Sequence, residues 1–397
     1  MLMPTAGLDR VGVMGSIRGL TDDFARDRSE RQRRRWLDPD DFEAIRRAGF
    51  HLACLPTEEG GLWENHATST RFICDLLRVL ASADSSVALV CAMHPAVLST
   101  VRWLDRSAAP EPYTEAWQAQ RAWAFETVRE GRAWWGTIQS EPGTGGDLRK
   151  TKAIARRIST GEYRLTGDKH FGSGAGMASY MITTALPDGE PAPDVFFMDM
   201  RGVELDGSAG VRLLAEWDGH GMPATQSHAL RFEDFCARRL AWPSTSRVNG
   251  PPAGPGAYLA AVCVGIVEMA VKTAREYLER RRTSMRPFEQ VEWSRAEMEG
   301  WLVQQAFDGL LRAIEAETDV LRTARFAKLS IAELAESTLG RICRVVGGGS
   351  YSRESPFGNW FEDVRALGFL RPPWGLAFES LFDLTASVVT RAPSPGR

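Results

Sequence analysis

Apolar residues recur at three- and four-residue spacing through the first third of the chain. "DPDDFEAIRRAGF" opens on acidic capping residues and ends at Gly49, and "STRFICDLLRVLASADSSVALVCAMHPAVLSTVRWL" continues the same period. The pattern predicts helices from Thr21 to about Glu130. Two faces of the second stretch are apolar, which places it inside a bundle. Between about Ala133 and Arg239 the texture becomes short and alternating: "TKAIARRI", "EYRLTGDKHFG", "YMITTAL", "DVFFMDM" and "SHALRFEDF", separated by Gly, Asp and Pro turns. That predicts a β domain. A "PSTSRVNGPPAGPG" hinge then leads into "AYLAAVCVGIVEMAVKTAREYLERRR", and helical stretches run to about Val346. The expected class is therefore α+β, with a helical segment over 1–130, a central β-barrel or sandwich over 131–243 and a helical bundle over 251–397. No fixed-period repeat is present, and "RAPSPGR" reads as a frayed tail.

Composition narrows the function. The 397 residues are 44% hydrophobic and 25% charged, enough for two or three cores. A net charge of −3 and a pI near 6.2 give no pull toward nucleic acid or an anionic membrane, so a ligand must be recognised locally. Six cysteines sit mostly in apolar runs without CxxC pairing, which argues for buried thiols and against a metal site. The N-terminal residues lack the apolar core of a signal peptide, and no apolar run approaches the ~20 residues of a membrane span. A cytoplasmic location is expected. The basic run "RSERQRRRW" reads as a solvated helix face.

"SEPGTGGD", residues 140–147, looks at first like a phosphate cradle. It lacks the lysine and hydroxyl of a P-loop and the GxGxxG spacing of a dinucleotide turn, and it opens a strand-rich zone rather than a strand-to-helix unit. Taken with its neighbours the loop says more. "WWGTIQSEPGTGGDLRKTKAIARR", "YRLTGDKHFGSGAGMASYMITTA" and "WDGHGMPATQSHALRFEDF", followed by "RVVGGGSYSRESPFGNWFEDVRALG", resemble the acyl-CoA dehydrogenase family over most of the chain.

The resemblance implies a helical N-terminal domain, a central β domain and a C-terminal four-helix bundle, with FAD between sheet and helices. It implies a homodimer or homotetramer. Thr137, Gln139 and Ser140 fall where the family lines the flavin pyrimidine, Phe171 at the aromatic on the flavin face, and Ser173 at the hydroxyl near the reactive edge. Donors there suit the negative charge that reduction places on the ring. Gly347 and Gly348 match the segment that reaches the FAD adenosine half of a neighbouring subunit; Arg344 stands there for a glutamine and Ser350 for a glycine. Arg282, or its neighbour Arg281, matches the pyrophosphate-binding arginine. Gly146 replaces the serine that helps hold pyrophosphate and thioester.

The family's base is most often a glutamate in a Tyr-Glu-Gly context, where this chain has Leu370, Arg371 and Pro372. Arginine stays protonated and cannot serve as a general base. The alternative seat, "GPPAGPGAY", has no carboxylate either. Glu379, the nearest downstream acid, sits in a helical context that favours a surface role. His94 lies at a depth where relatives line the substrate cavity, with a core histidine as the alternative; His170 and His228 read as structural. His94, Gly146 and Arg371 are thus the substrate-side candidates, and no catalytic residue is assigned. The first expectation is α,β-dehydrogenation of an acyl thioester, on CoA or a carrier protein, with an unidentified base. The alternatives are a flavin-dependent monooxygenase of the same fold, which needs no such base, or a silent subunit of a heteromer whose other chain keeps the glutamate.

Overall fold

The structure, a computed structural model, describes residues 8–105, 109–243 and 254–389. Most of the hinge expected after Trp242 and the "RAPSPGR" tail lie outside the described residues.

Among the described residues seven helices come first: α1 (Arg10–Arg26), α2 (Arg28–Arg31), α3 (Pro39–Arg47), α4 (Phe50–Ala53), α5 (His66–Ala81), α6 (Ser85–Thr100) and α7 (Thr114–Arg129). The long apolar stretch breaks into α5 and α6 because Asp84 caps the second helix, its carboxylate accepting the Val87 N–H at 3.0 Å. Almost every residue of α6 is buried, as its two apolar faces require. The basic run departs from the solvated face expected of it. Arg31 turns inward and is bound by Asp41 at 2.7 Å and Asp84 at 3.2 Å, which fastens α2 to α3 and to the start of α6.

The middle of the chain forms β1 (Trp135–Thr137), β2 (Ile154–Ser159), β3 (Glu162–Gly172), β4 (Tyr180–Pro187), β5 (Asp194–Asp199), β6 (Val211–Ala215) and β7 (His228–Arg239). The strand order β4-β2-β3-β7-β5 closes on itself through a β4–β5 pairing, so five strands make a barrel. β1 joins β4 in parallel and β6 extends β7. Alternation sends Leu165, Phe196, Met198 and Phe232 into the barrel core, and closure removes the exposed sheet edges that the five would otherwise present.

Five further helices follow: α8 (Gly254–Glu279), α9 (Pro287–Glu315), α10 (Val320–Val346), α11 (Pro356–Phe369) and α12 (Trp374–Val389). Ile73 and Leu77 of α5, Val264 and Ile266 of α8 and Ile331 of α10 share one hydrophobic core, so helices from both ends of the chain are joined. Contrary to the sequence expectation, α8 is long and apolar enough to cross a membrane; most of its apolar stretch is instead buried inside this core.

Candidate functional site

The loop 140–147 leaves β1 and is held from two sides. The Ser140 carbonyl accepts the His170 N–H at 2.8 Å, which ties the loop to the end of β3 beside Phe171. Beneath it, the buried Glu141 carboxylate accepts the N–H groups of Lys152 at 2.6 Å and Ala153 at 3.2 Å and pairs with the ammonium of Lys169, which is sealed from solvent. Burial lowers the Lys169 pKa, and Glu141 opposes that shift. Gly143, Gly145 and Gly146 all have positive φ, at 77°, 62° and 83°, which is the backbone that this reversal demands. The glycines therefore shape a turn over a buried ion pair.

Arg371, in the segment after α11, closes over this loop. Its guanidinium donates to Ser140 Oγ at 2.9 Å and to the Gly146 carbonyl at 2.6 Å, and no carboxylate pairs with it among the described residues. Burial lowers its pKa to about 10. A Cβ on Gly146 would lie 2.8 Å from Pro373 Cγ, so a serine here would be disfavoured both by this contact and by the positive φ. Ser140, Gly146 and Arg371 are thus brought together, while Glu379 lies exposed on α12.

Thr137, Gln139 and Ser140 follow one another out of β1. The Thr137 hydroxyl is buried without a partner, and Gln139 is half-buried. Phe171 adopts φ 61° and is 61% exposed, with its ring edge-on to Trp217 at 6.2 Å. A large aromatic held in the left-handed region and left in solvent is a strained and costly arrangement for the chain alone. Ser173 is buried and joined to Ser227 at 2.9 Å, which in turn meets Thr225 at 2.8 Å.

The remaining candidates lie elsewhere. Gly347 caps α10 with φ 82°, and both Gly347 and Gly348 face open space. Arg344 is bound to Glu292 at 2.9 Å, Ser350 folds back on the Gly347 carbonyl at 2.8 Å, Arg281 pairs with Glu289, and Arg282 is exposed beside Glu279 at 3.6 Å. Among the described residues no hydrogen bond or ion pair links this group to loop 140–147. Of the two readings of His94, at a substrate cavity or in the core, the geometry fits the core. It is fully buried, its Nδ1 accepts the Trp135 N–H at 3.2 Å, and its Nε2 is unpartnered. Burial pushes its pKa to about 3, so it is a neutral core histidine packed beside Trp134. His228 likewise accepts the Trp217 N–H at 2.9 Å, and His170 serves through its backbone.

Asp363 of α11 was not anticipated. Its buried carboxylate accepts the Ser85 hydroxyl and the Met222 N–H, each at 2.6 Å, and so joins α11, the start of α6 and the loop before β7. The available signal was helical phase: Asp363 lies on the same face as Trp360 and Leu367, both buried.

Comparison with known proteins agrees with this architecture. Residues 136–235 match the family model "Acyl-CoA dehydrogenase, middle domain" and residues 257–371 match "Acyl-CoA dehydrogenase, C-terminal domain". The chain is 27% identical over 359 residues to the amino sugar nitrososynthase DnmZ of Streptomyces peucetius, covering 83% of this chain and 82% of that one. It is 26% identical over 269 residues to the "Probable FMNH2-dependent monooxygenase SfnC" of Pseudomonas putida, covering 66% and 60%. Its fold matches FMN-bound TdsC from Paenibacillus sp. A11-2 with a TM-score of 0.78 at 18% identity, over 97% of this chain and 99% of that one. The closed barrel between two sets of helices and the two matched domains lead to one conclusion: the chain belongs to the acyl-CoA dehydrogenase family.

Proposed function

We propose that this protein is a flavin-dependent monooxygenase that uses reduced FMN and dioxygen to oxygenate a small molecule. The observation that carries the reading is the seat of Arg371. Dehydrogenation of a thioester needs a carboxylate to take the α proton, and at the matching position stands a cation that donates to Ser140 and Gly146. A base there typically supplies about 10²- to 10⁴-fold in rate, so its loss disfavours the dehydrogenase reading put first by the resemblance. Both relatives described above bear the names of other oxidations, a nitrososynthase and an FMNH2-dependent monooxygenase, which supports the oxygenase over dehydrogenation and over a silent subunit.

The residues present suit a flavin. Thr137 offers a buried hydroxyl with no partner among the described residues, and Phe171 presents an exposed aromatic face, the pair that a flat ring with one polar edge would complete. Thr137, Gln139, Ser140, Phe171 and Ser173 would hold it. FMN is preferred here to the FAD first expected because the names of two similar proteins carry it, FMN-bound TdsC and the FMNH2-dependent SfnC. When bound, reduced flavin would supply two electrons to dioxygen, so that one oxygen atom would enter the substrate and the other leave as water. The chain's part is to shield the site and to orient the ring through the Arg371–Ser140 contact.

The test supplies the purified protein with FMN, a flavin reductase, NADH and ¹⁸O₂ in the presence of candidate amines, thioethers and arenes. The proposal expects protein-dependent incorporation of one ¹⁸O atom. Uptake of oxygen that ends only in hydrogen peroxide across the whole panel would count against it.

A further inference from the structure

Among the described residues, most buried and half-buried cations are matched by carboxylates. Arg31 meets Asp41, Arg239 meets Asp194, Arg341 meets Glu299 and Lys169 meets Glu141. One neighbourhood breaks the rule. Lys328 of α10, only 7% exposed, donates its ammonium to the Pro372 carbonyl, and Arg325, one turn before it, donates Nε to Ser380 Oγ of α12 at 3.1 Å. Arg371 adjoins Pro372 and gives its own N–H groups to a hydroxyl and a carbonyl. None of the three has a carboxylate within ion-pair distance among the described residues, and Glu379 and Asp383 of α12 both lie exposed. Arg28 also lacks an acid, but it stands apart, on the Ser82 carbonyl and over the Trp360 ring.

Desolvating a cation against neutral oxygens alone is unfavourable, and gathering three such cations at the junction of α10, α12 and the 370–373 segment compounds the cost. Burial and the Arg325 charge lower Lys328 to about 8, and burial lowers Arg325 as well. Each group keeps unused donors: an ammonium has three and a guanidinium five. An anion is the partner that this cluster lacks among the described residues.

We propose that Arg325 and Lys328 form an anion-recognition subsite for the substrate, taking a carboxylate or phosphate group and holding the molecule with its reacting end toward Arg371. The inference rests on the monooxygenase reading for what the bound molecule undergoes, but not for whether an anion binds. The same chemistry has a second source, the phosphate of FMN itself.

Calorimetric titration of the flavin-free protein with inorganic phosphate tests the subsite without turnover, so its failure is distinct from failure of the oxygenation assay. Saturable binding is expected, weakened about tenfold or more by Lys328→Met and by Arg325→Met, each of which keeps an apolar stem but removes a charged donor. Without phosphate, Lys328→Met should unfold at the same temperature as the parent or higher, because an unmatched buried charge has gone. No saturable binding, or binding that both variants leave unchanged, overturns the proposal. A second arm compares FMN with riboflavin. Equal FMN affinity in parent and Lys328→Met supports a substrate anion, whereas loss of FMN affinity with riboflavin affinity intact would assign the subsite to the flavin phosphate and overturn the substrate assignment.

Discussion

The guanidinium of Arg371 donates to the hydroxyl of Ser140 at 2.9 Å, across 231 residues of sequence. With its second bond to the Gly146 carbonyl, it fixes both ends of the loop 140–147 against the segment that follows α11. Arg371→Met removes both bonds and with them the orientation of Ser140. Hydrogen bonds to charged groups are worth about 1.5–3 kcal/mol each, offset by relief of a desolvated charge, so a modest stability loss of about 1–2 kcal/mol is expected in urea. FMN binding, followed by quenching of flavin fluorescence, should weaken about tenfold.

Gly146 and Pro373 form a matched pair. Restoring the serine of relatives at 146 forces a side chain onto a backbone at φ 83° and against Pro373 Cγ at 2.8 Å. Gly146→Ser should cost about 1–3 kcal/mol in thermal or chemical unfolding. The double variant Gly146→Ser/Pro373→Ala should recover the part due to the contact and leave the part due to the backbone.

Asp363 is held by two donors, yet burial pushes its pKa up to about 6, above the ordinary 3.8. The folded state therefore binds a proton more readily than the unfolded chain between these values. Its contribution to stability is largest below the unfolded value and is lost as pH rises toward 6. Asp363→Asn keeps an acceptor for Met222 and a partner for Ser85, so its stability relative to the parent should rise across that window and level off above it. Asp363→Ala leaves both donors without an acceptor and should cost about 2–4 kcal/mol at neutral pH. Unfolding midpoints measured from pH 4 to 7 check both statements.

Phe171 separates binding from stability. Its ring is 61% exposed, so Phe171→Ala removes little buried area and should change the unfolding free energy by less than about 1 kcal/mol, while FMN affinity falls about tenfold from the lost stacking. Equal effects on both would mean that the ring serves the fold and not the flavin.

The order of helices, sheet and helices was legible because each zone carries its own period. The five segments with clear alternation all became strands of the closed ring. β1 and β6 were not legible: three residues from Trp135 to Thr137 are too few to alternate, and they pair in parallel with a strand more than forty residues away. In the site, Gly146 and Arg371 were visible as departures, but the reason for each lay elsewhere in the chain, in Pro373 and Ser140. Asp363 and Lys328 look like ordinary charges on amphipathic helices. Helical phase, beside Trp360 and Leu367, is the one sequence hint for Asp363, and packing alone reveals that Lys328 faces inward.

A cation at 371 leaves thioester dehydrogenation without its base, and anaerobic titration of the FMN-loaded protein with acyl-CoA thioesters of graded length puts this to the test. The visible flavin band should persist throughout, with no enoyl-CoA formed. Stoichiometric bleaching with release of enoyl-CoA would contradict it.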